Sequence, residues 1–295
     1  MSTFKYCLPA GIGDNLWILS RIYSLPRILN KEIAIYLAQD HPRRGGAFIE
    51  MWPEGFEFAG YLDGYGSWDV LMHSIPSDWA THHELAPLLA EPNKIKFLNA
   101  NIHLEQGRRI ETYLPLLPPT NFHPTLNIQS DELEEGYRLA DVKNPVSIYV
   151  SNRDKDKLKG GWSLWNEQDW VIFLRKFREL YDCTYIFMAA EYDRDKTEAV
   201  ISLMKNDRCV ACIDKPLGVA LSALSRCHYS FSYPSGIGIL SSTLNVPGVM
   251  LLPTVLPGLE SSWIDPVQVA NETFKCFVNP TVDEVLEHMR KQLNK

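Results

Sequence analysis

The sequence predicts an α/β chain built from two doubly wound, Rossmann-like domains. Three observations carry this reading. Strands and helices alternate through the second half. The N-terminus opens as strand, glycine turn and helix. A polar, proline-terminated stretch, Asp141 to Pro145, precedes a second opening strand.

Each element follows from local pattern. The first strand ends near Leu8, and the helix after it carries Leu16, Leu19, Ile22 and Tyr23 on one face. Ile33 to Leu37 is the next strand. From Gly64 to Pro92 the pattern is less regular and fixes no strand order. After the boundary, Val146 to Val150 reads as a strand, and Trp170, Phe173, Leu174, Phe177 and Leu180 recur at helical spacing. Then come a strand at Tyr185 to Met188, a helix at Thr197 to Lys205, and a strand at Val210 to Ile213. A helix at Leu217 to Ser225, a strand at His228 to Ser232, a helix at Ile237 to Leu244 and a strand at Val249 to Leu252 complete the series. Thr281, with Glu284 three residues on, is a capping box that starts a last helix. Its apolar face is Val282, Val285, Leu286, Met289 and Leu293, expected to dock on the first domain. The expected organisation is therefore a first domain over 1–143, a second over 144–280, and a final helix over 281–295 packing back on the first.

Composition excludes several classes. A length of 295 residues suits two domains, and 45% hydrophobic with 22% charged residues is globular. A net charge of −7 argues against broad, nonspecific nucleic-acid binding, which needs a cationic surface. No apolar run is long enough to span a bilayer, and the first residues lack the core of a signal peptide, so a cytoplasmic protein is expected, in the host cytoplasm if the source is viral. Six cysteines stand at 7, 183, 209, 212, 227 and 276. Cys209 and Cys212 form C-x-x-C, but within a strand-like run positions three apart point to opposite faces, and no second pair follows at zinc-site spacing. They read as buried free thiols.

Two glycine turns carry the candidate chemistry. The first is Ala10-Gly11-Ile12-Gly13-Asp14-Asn15, at the carboxyl end of the first strand, where open α/β sheets bind ligands. Asp14 is either a helix N-cap or a reactive carboxylate. The third glycine of a dinucleotide fingerprint is missing, because Leu16 stands there. The second turn is Ser232-Tyr233-Pro234-Ser235-Gly236-Ile237-Gly238. Ser235 can cap the following helix, and the glycines let a phosphate approach free amides at the helix start. An ordinary capped turn is the alternative.

Together the turns resemble glycosyltransferase family 9, the heptosyltransferase-like glycosyltransferases of GT-B fold. That family opens with a strand, a Gly-Asp turn and a helix, matched by Gly13-Asp14. Its second domain carries Asp-Ser/Thr-Gly-x-x-His-x-x-x-Ala and then a proline, matched in position by Pro234-Ser235-Gly236 and Pro247. The motif's Asp is Pro234 here and its His is Ile239, so donor contacts by those two side chains are lost and a backbone cradle remains. Asn101 to Gly107, followed by Leu114-Pro115, resembles a segment of viral and bacterial relatives.

The resemblance implies two Rossmann-like domains facing a cleft, a nucleotide-sugar donor as co-substrate, inversion at the anomeric carbon, and neither metal nor other cofactor. It makes Asp14 the general base. Gly13, Ser151, Lys159, Glu191, Ser235, Gly236, Ile237 and Gly238 become the donor-binding set. Lys157 is an alternative to Lys159, and Glu191 is either a ribose ligand or a solvated strand-end carboxylate. The acceptor, a glycan or a hydroxymethylated DNA base, is expected on the first domain, where loops vary.

Other patterns point elsewhere. Asp154-Lys155-Asp156 and Asp193-Arg194-Asp195 are D-x-D matches, but each sits among opposite charges and reads as a solvated loop or face. Tyr192 and Lys196 fit the Y-x-x-x-K of dehydrogenases and epimerases, without the glycine fingerprint those enzymes need. The competing functions are an NAD(P)-dependent oxidoreductase or epimerase and a non-catalytic nucleotide-sugar binder.

Overall fold

The computed structural model describes residues 4–8, 13, 15–16, 19, 22, 25–38, 55–62, 95–97, 128–150, 165–205, 207–252 and 271–294. The chain divides into two compact units. One is Met1–Asn127 with Pro257–Ala270, and the other is Ile128–Leu256 with Asn271–Lys295.

The first unit holds β1 (Phe4–Leu8), α1 (Leu25–Leu29), β2 (Ile33–Ala38), β3 (Phe56–Leu62) and β4 (Ile95–Phe97). Its strands are all parallel, in the order β3-β2-β1-β4. β1 is nearly all buried, as expected for a parallel strand covered on both faces. After it, Gly13, Asn15, Leu16, Leu19 and Ile22 are helical, and Leu16, Leu19, Ile22 and Leu25 are buried at the expected helical spacing.

The second unit holds α2 (Ser130–Ala140), β5 (Pro145–Tyr149), α3 (Glu167–Leu180), β6 (Thr184–Ala189), a 3-10 turn at Glu191–Asp193, α4 (Arg194–Leu203), β7 (Cys209–Ile213) and α5 (Leu217–Leu224). It continues through β8 (Tyr229–Ser232), α6 (Gly236–Thr243), β9 (Gly248–Leu252), β10 (Phe274–Val278) and α7 (Val282–Leu293). All six strands are parallel, in the order β10-β9-β8-β5-β6-β7. Counted from β5 as the first, this is the 3-2-1-4-5-6 order of a dinucleotide-binding fold, with its switch point between β5 and β8.

The helices of this unit form where the chain supplies caps and stripes. Asn166 and Asp169 close a capping box on α3, each side chain accepting from the other's backbone N–H at 2.9 Å. The helix then buries Trp170, Phe173, Leu174 and Phe177. Phe173 and Phe177 meet Phe231 of β8 edge-on, with centroids 4.8 and 4.9 Å apart.

Two expectations about organisation are corrected. The boundary lies at 127/128, ahead of α2, rather than at 141–145. α2 belongs to the second unit because its Gly136 lies against α5 so closely that an added Cβ would be 2.5 Å from the Val219 carbonyl oxygen. The last helix also joins the second unit instead of docking on the first. Its capping box is as read, with Glu284 accepting from the Thr281 N–H at 2.7 Å. Its buried residues, Val285, Leu286 and Met289, pack into the same core as Trp170 and Phe173. Lys176 of α3 pairs with Asp283 at 3.0 Å beside that seam.

Candidate active site

The second glycine turn leaves β8 at the switch point of its sheet. Ser235 is extended (φ −160°, ψ 166°) and caps α6, its hydroxyl accepting from the Gly238 N–H at 3.2 Å. That bond corrects the expected cradle. The Gly238 amide is already used, which leaves the amides of Gly236 and Ile237, each without a hydrogen-bond partner among the described residues. Gly238 has a packing role instead. A Cβ there would lie 2.5 Å from the Ser232 hydroxyl oxygen and 2.6 Å from Met250 Cε, so its absence lets α6 settle on β8 and β9. The Ser232 hydroxyl, fully buried beneath the turn, has no partner among the described residues.

The ring of Tyr233 is fixed. Its hydroxyl donates to the Trp165 carbonyl at 3.0 Å and accepts from the Trp165 N–H at 2.8 Å. The ring meets Trp170 edge-on at 5.5 Å and is fully buried.

At the carboxyl end of β6, Glu191 opens the 3-10 turn. Its Oε2 accepts from Arg194 Nε at 2.9 Å and Nη2 at 2.5 Å, and Arg194 also reaches Glu198 at 3.2 Å. The carboxylate is mostly exposed, so Glu191 stands in a solvated ion pair with one oxygen not engaged by Arg194. Asp193, expected on a solvated face, is only 2% exposed. Its Oδ2 accepts from the Tyr149 hydroxyl at 2.6 Å, and its main-chain carbonyl accepts from the Thr197 hydroxyl at 2.9 Å. Burial, reinforced by Asp193 and Tyr192, pushes the Tyr149 phenol well above its usual range and keeps it a neutral donor. Among the described residues, no three His, Cys, Asp or Glu side chains gather as a metal site.

In the first unit, Gly13 and Asn15 flank Asp14, and both are buried. The helix has begun by Gly13, earlier than a cap at position 14 requires. The Asn15 side-chain oxygen is buried without a hydrogen-bond partner among the described residues. Asp14, Ser151, Lys157, Lys159, Asp154 and Asp156 lie outside the described residues. Cys212 is buried and Cys209 half-buried, and burial pushes both thiols up to about 11. They are inert at neutral pH.

No protein-family profile matches the sequence, and no curated protein matches it. Solved structures do match. The chain is similar to a family 9 glycosyl transferase from Veillonella parvula, with TM-score 0.58 and 13% identity over 100% of this chain and 90% of that one. It is similar to the ADP-heptose LPS heptosyltransferase II of E. coli, with TM-score 0.58 and 13% identity over 99% of each chain. It is also similar to a candidate UDP-N-acetylglucosamine 2-epimerase from Listeria monocytogenes, with TM-score 0.53 and 11% identity over 100% of this chain and 89% of that one.

The fold is GT-B. Of the expected donor residues, the GT-B second unit brings Ser235, Gly236, Ile237 and Gly238 together on one turn. Glu191 stands at the end of another strand of the same sheet. Sequence reading missed the buried Tyr149–Asp193 pair. The signal was present but misleading, because Arg194 and Lys196 beside Asp193 made the segment look solvated.

Proposed function

We propose that the chain is an inverting, metal-independent glycosyltransferase that moves a sugar from a nucleoside diphosphate sugar to an acceptor hydroxyl. The observation that carries this reading is the glycine turn at the switch point of the second unit, in a chain whose whole length matches glycosyltransferases of GT-B fold. The second unit binds the donor, with the diphosphate against the amides of Gly236 and Ile237. Ser151, Lys159 and Glu191 complete its contacts. The first unit binds the acceptor, a glycan or a hydroxymethylated DNA base.

The reaction needs three things of the chain. A base must take the acceptor proton as the hydroxyl oxygen attacks the anomeric carbon, and Asp14 fills that role at the carboxyl end of β1. The bond from that carbon to the phosphate oxygen breaks on the opposite face, inverting the centre. Fixed donors must then meet the charge that grows on the departing nucleoside diphosphate, which two helix-start amides do without reorganising. No divalent ion enters this scheme. Of the two D-x-D matches, the described one has its first carboxylate buried against Tyr149.

The likeness to a candidate nucleotide-sugar 2-epimerase favours one other reading, in which the donor is rearranged and never transferred. Incubation with ADP- and UDP-sugars, with and without a panel of glycan and hydroxymethylated-DNA acceptors and in the presence of a chelator, separates the two. Acceptor-dependent release of nucleoside diphosphate under chelation is the expected result. Conversion of the sugar nucleotide without acceptor selects the epimerase, and an absolute requirement for a metal overturns the metal-independent mechanism.

A further inference from the structure

The donor reading makes Glu191 a ribose ligand, and the fold gives that role a place. Counted from β5, β6 is the second strand of its sheet, and in dinucleotide-binding sheets of this order an acid past the second strand takes the ribose hydroxyls. β8, whose end leads into the amides of Gly236 and Ile237, lies two strands from β6, with β5 between them. Two strand spacings come to about 10 Å, a span that a nucleoside diphosphate covers from its ribose hydroxyls to its outer phosphate.

An exposed glutamate does not hold itself on such a target. The Glu191 side chain is mostly exposed, and its bonds to Arg194 lie within one turn of chain. They fix the two residues against each other and not against the sheet. A tie to the sheet comes from Tyr149, the last residue of β5. Its hydroxyl donates to Asp193 Oδ2 at 2.6 Å, the length of a bond to an ionised carboxylate. This bond crosses from the end of β5 to the turn after β6, beside the switch point, and both residues are buried. From Asp193 the constraint passes both ways along the chain. Its N–H donates to the Ala190 carbonyl at 2.9 Å, closing the 3-10 turn around Glu191, and its carbonyl accepts from Thr197 of α4 at 2.9 Å. Holding a turn does not require a buried charge, and an apolar contact does so with less desolvation. What a hydroxyl–carboxylate bond adds is direction, which a group that positions a ligand contact needs.

We propose that Tyr149, through Asp193, positions the Glu191 carboxylate for the ribose diol of the donor and so commits the chain to ribonucleotide sugars over deoxyribonucleotide sugars. This rests on the glycosyltransferase reading above, with Glu191 as a donor contact, and adds to it a positioning pair that acts from beneath the site.

Calorimetric titration of the full chain with ADP, UDP, GDP and their 2′,3′-dideoxy counterparts tests it, in wild type, Glu191→Ala, Tyr149→Phe and the double variant. For whichever diphosphate binds, wild type should prefer the ribo form roughly 10- to 100-fold, the worth of hydrogen bonds to a charged group. Glu191→Ala should remove most of that preference. Tyr149→Phe, which takes away only a hydroxyl, should lower it several-fold by weakening the ribo form alone, and the double variant should match Glu191→Ala. A purely structural tyrosine would weaken ribo and dideoxy forms alike and leave the preference in place. Asp193→Ala breaks the same bond from the other side and should lower the preference in the same way, so it carries the test if Tyr149→Phe does not fold. If Glu191→Ala abolishes the preference but Tyr149→Phe and Asp193→Ala keep it, the inference falls and the glycosyltransferase reading stands. The same follows if wild type has no preference or Glu191→Ala keeps it. If wild type binds none of the diphosphates, both fall.

Discussion

The two strand-to-helix junctions, after β1 and after β8, each flank the switch point of a parallel sheet and yet carry different chemistry. The first joins buried Gly13 and Asn15 around an acid, Asp14. The second, from Tyr233 to Gly238, has no ionisable group but a tyrosine held by Trp165 and offers two helix-start amides. The proposed transferase reading puts this division to use: a carboxylate at the first junction can take a proton, and helix-start amides at the second can meet a phosphate. In the second turn, Pro234 stands where the resembled family has an acid. That substitution removes a negative charge from the proposed diphosphate site and leaves backbone amides to carry the proposed recognition.

The sharpest way to break the comparison is at Asp14. Asp14→Asn keeps the shape and loses the basicity. Turnover should fall roughly 10²–10⁴-fold, the usual worth of a positioned base. Donor affinity should hold, because all but one of the donor contacts proposed, Gly13 being the exception, lie in the other unit. Stability should drop by no more than about 1 kcal/mol, the value of a carboxylate near a helix start. Steady-state rates and ADP or UDP titrations on the same preparation check both halves. Near-normal turnover would remove Asp14 from the mechanism and make the first junction structural.

The second junction can be dissected by two glycines two positions apart. Gly238 is buried, and a side chain there collides with Ser232 and Met250. Gly238→Leu should therefore destabilise the second unit by about 1–3 kcal/mol through overpacking. Gly236 is half-buried beside the amides assigned to the phosphate. Gly236→Leu should leave the melting temperature close to wild type and weaken diphosphate binding strongly. If instead Gly236→Leu melts early and Gly238→Leu loses only affinity, the roles of packing glycine and cradle glycine are reversed.

These junctions also mark how far the sequence was legible. Strands β5 to β9 and helices α5 and α6 were readable to within a residue wherever the pattern was strongly periodic and bounded by Pro, Gly or a cap, and the apolar stripe of α3 was readable without its start. β10 was missed. It is a short strand, Phe274–Val278, whose alternation of buried Phe274 and Cys276 with exposed Lys275 is too brief to stand out. The apolar face of α7 was correct to the residue, yet its docking partner was wrong. A stripe states that a helix is half-buried and is silent about what buries it. The same limit moved the domain boundary, since α2 is polar enough to read as linker until Gly136 is seen against α5. At the site, Ser235 was legible as a cap, but the consequence, that capping consumes the Gly238 amide, needed coordinates. Asp193 shows the opposite failure. Local charge suggested solvent, whereas Tyr149, 44 positions away in sequence, buries it.

The smallest effect expected of the comparison concerns a feature the junctions share. Each holds one buried polar atom with no partner among the described residues, the Asn15 side-chain oxygen in the first and the Ser232 hydroxyl in the second. An unsatisfied buried group costs about 1–3 kcal/mol, and replacing it by an apolar group of similar shape is nearly neutral or stabilising. Ser232→Ala removes the hydroxyl without leaving room for a cavity of consequence, and it relieves the spot that a Cβ at Gly238 would meet. The variant should be as stable as wild type or gain up to about 1 kcal/mol, measured by urea unfolding. Asn15→Leu should behave the same way in stability. The two should part in activity: Ser232 lies fully buried beneath a turn whose recognition is backbone, so its loss should leave turnover unchanged. Asn15 adjoins the proposed base, so its loss should lower turnover while leaving donor affinity intact. A clear loss of stability in Ser232→Ala would mean that the hydroxyl is satisfied in solution, most simply by a buried water. It would then have to be counted as part of the cradle rather than as an orphan beneath it.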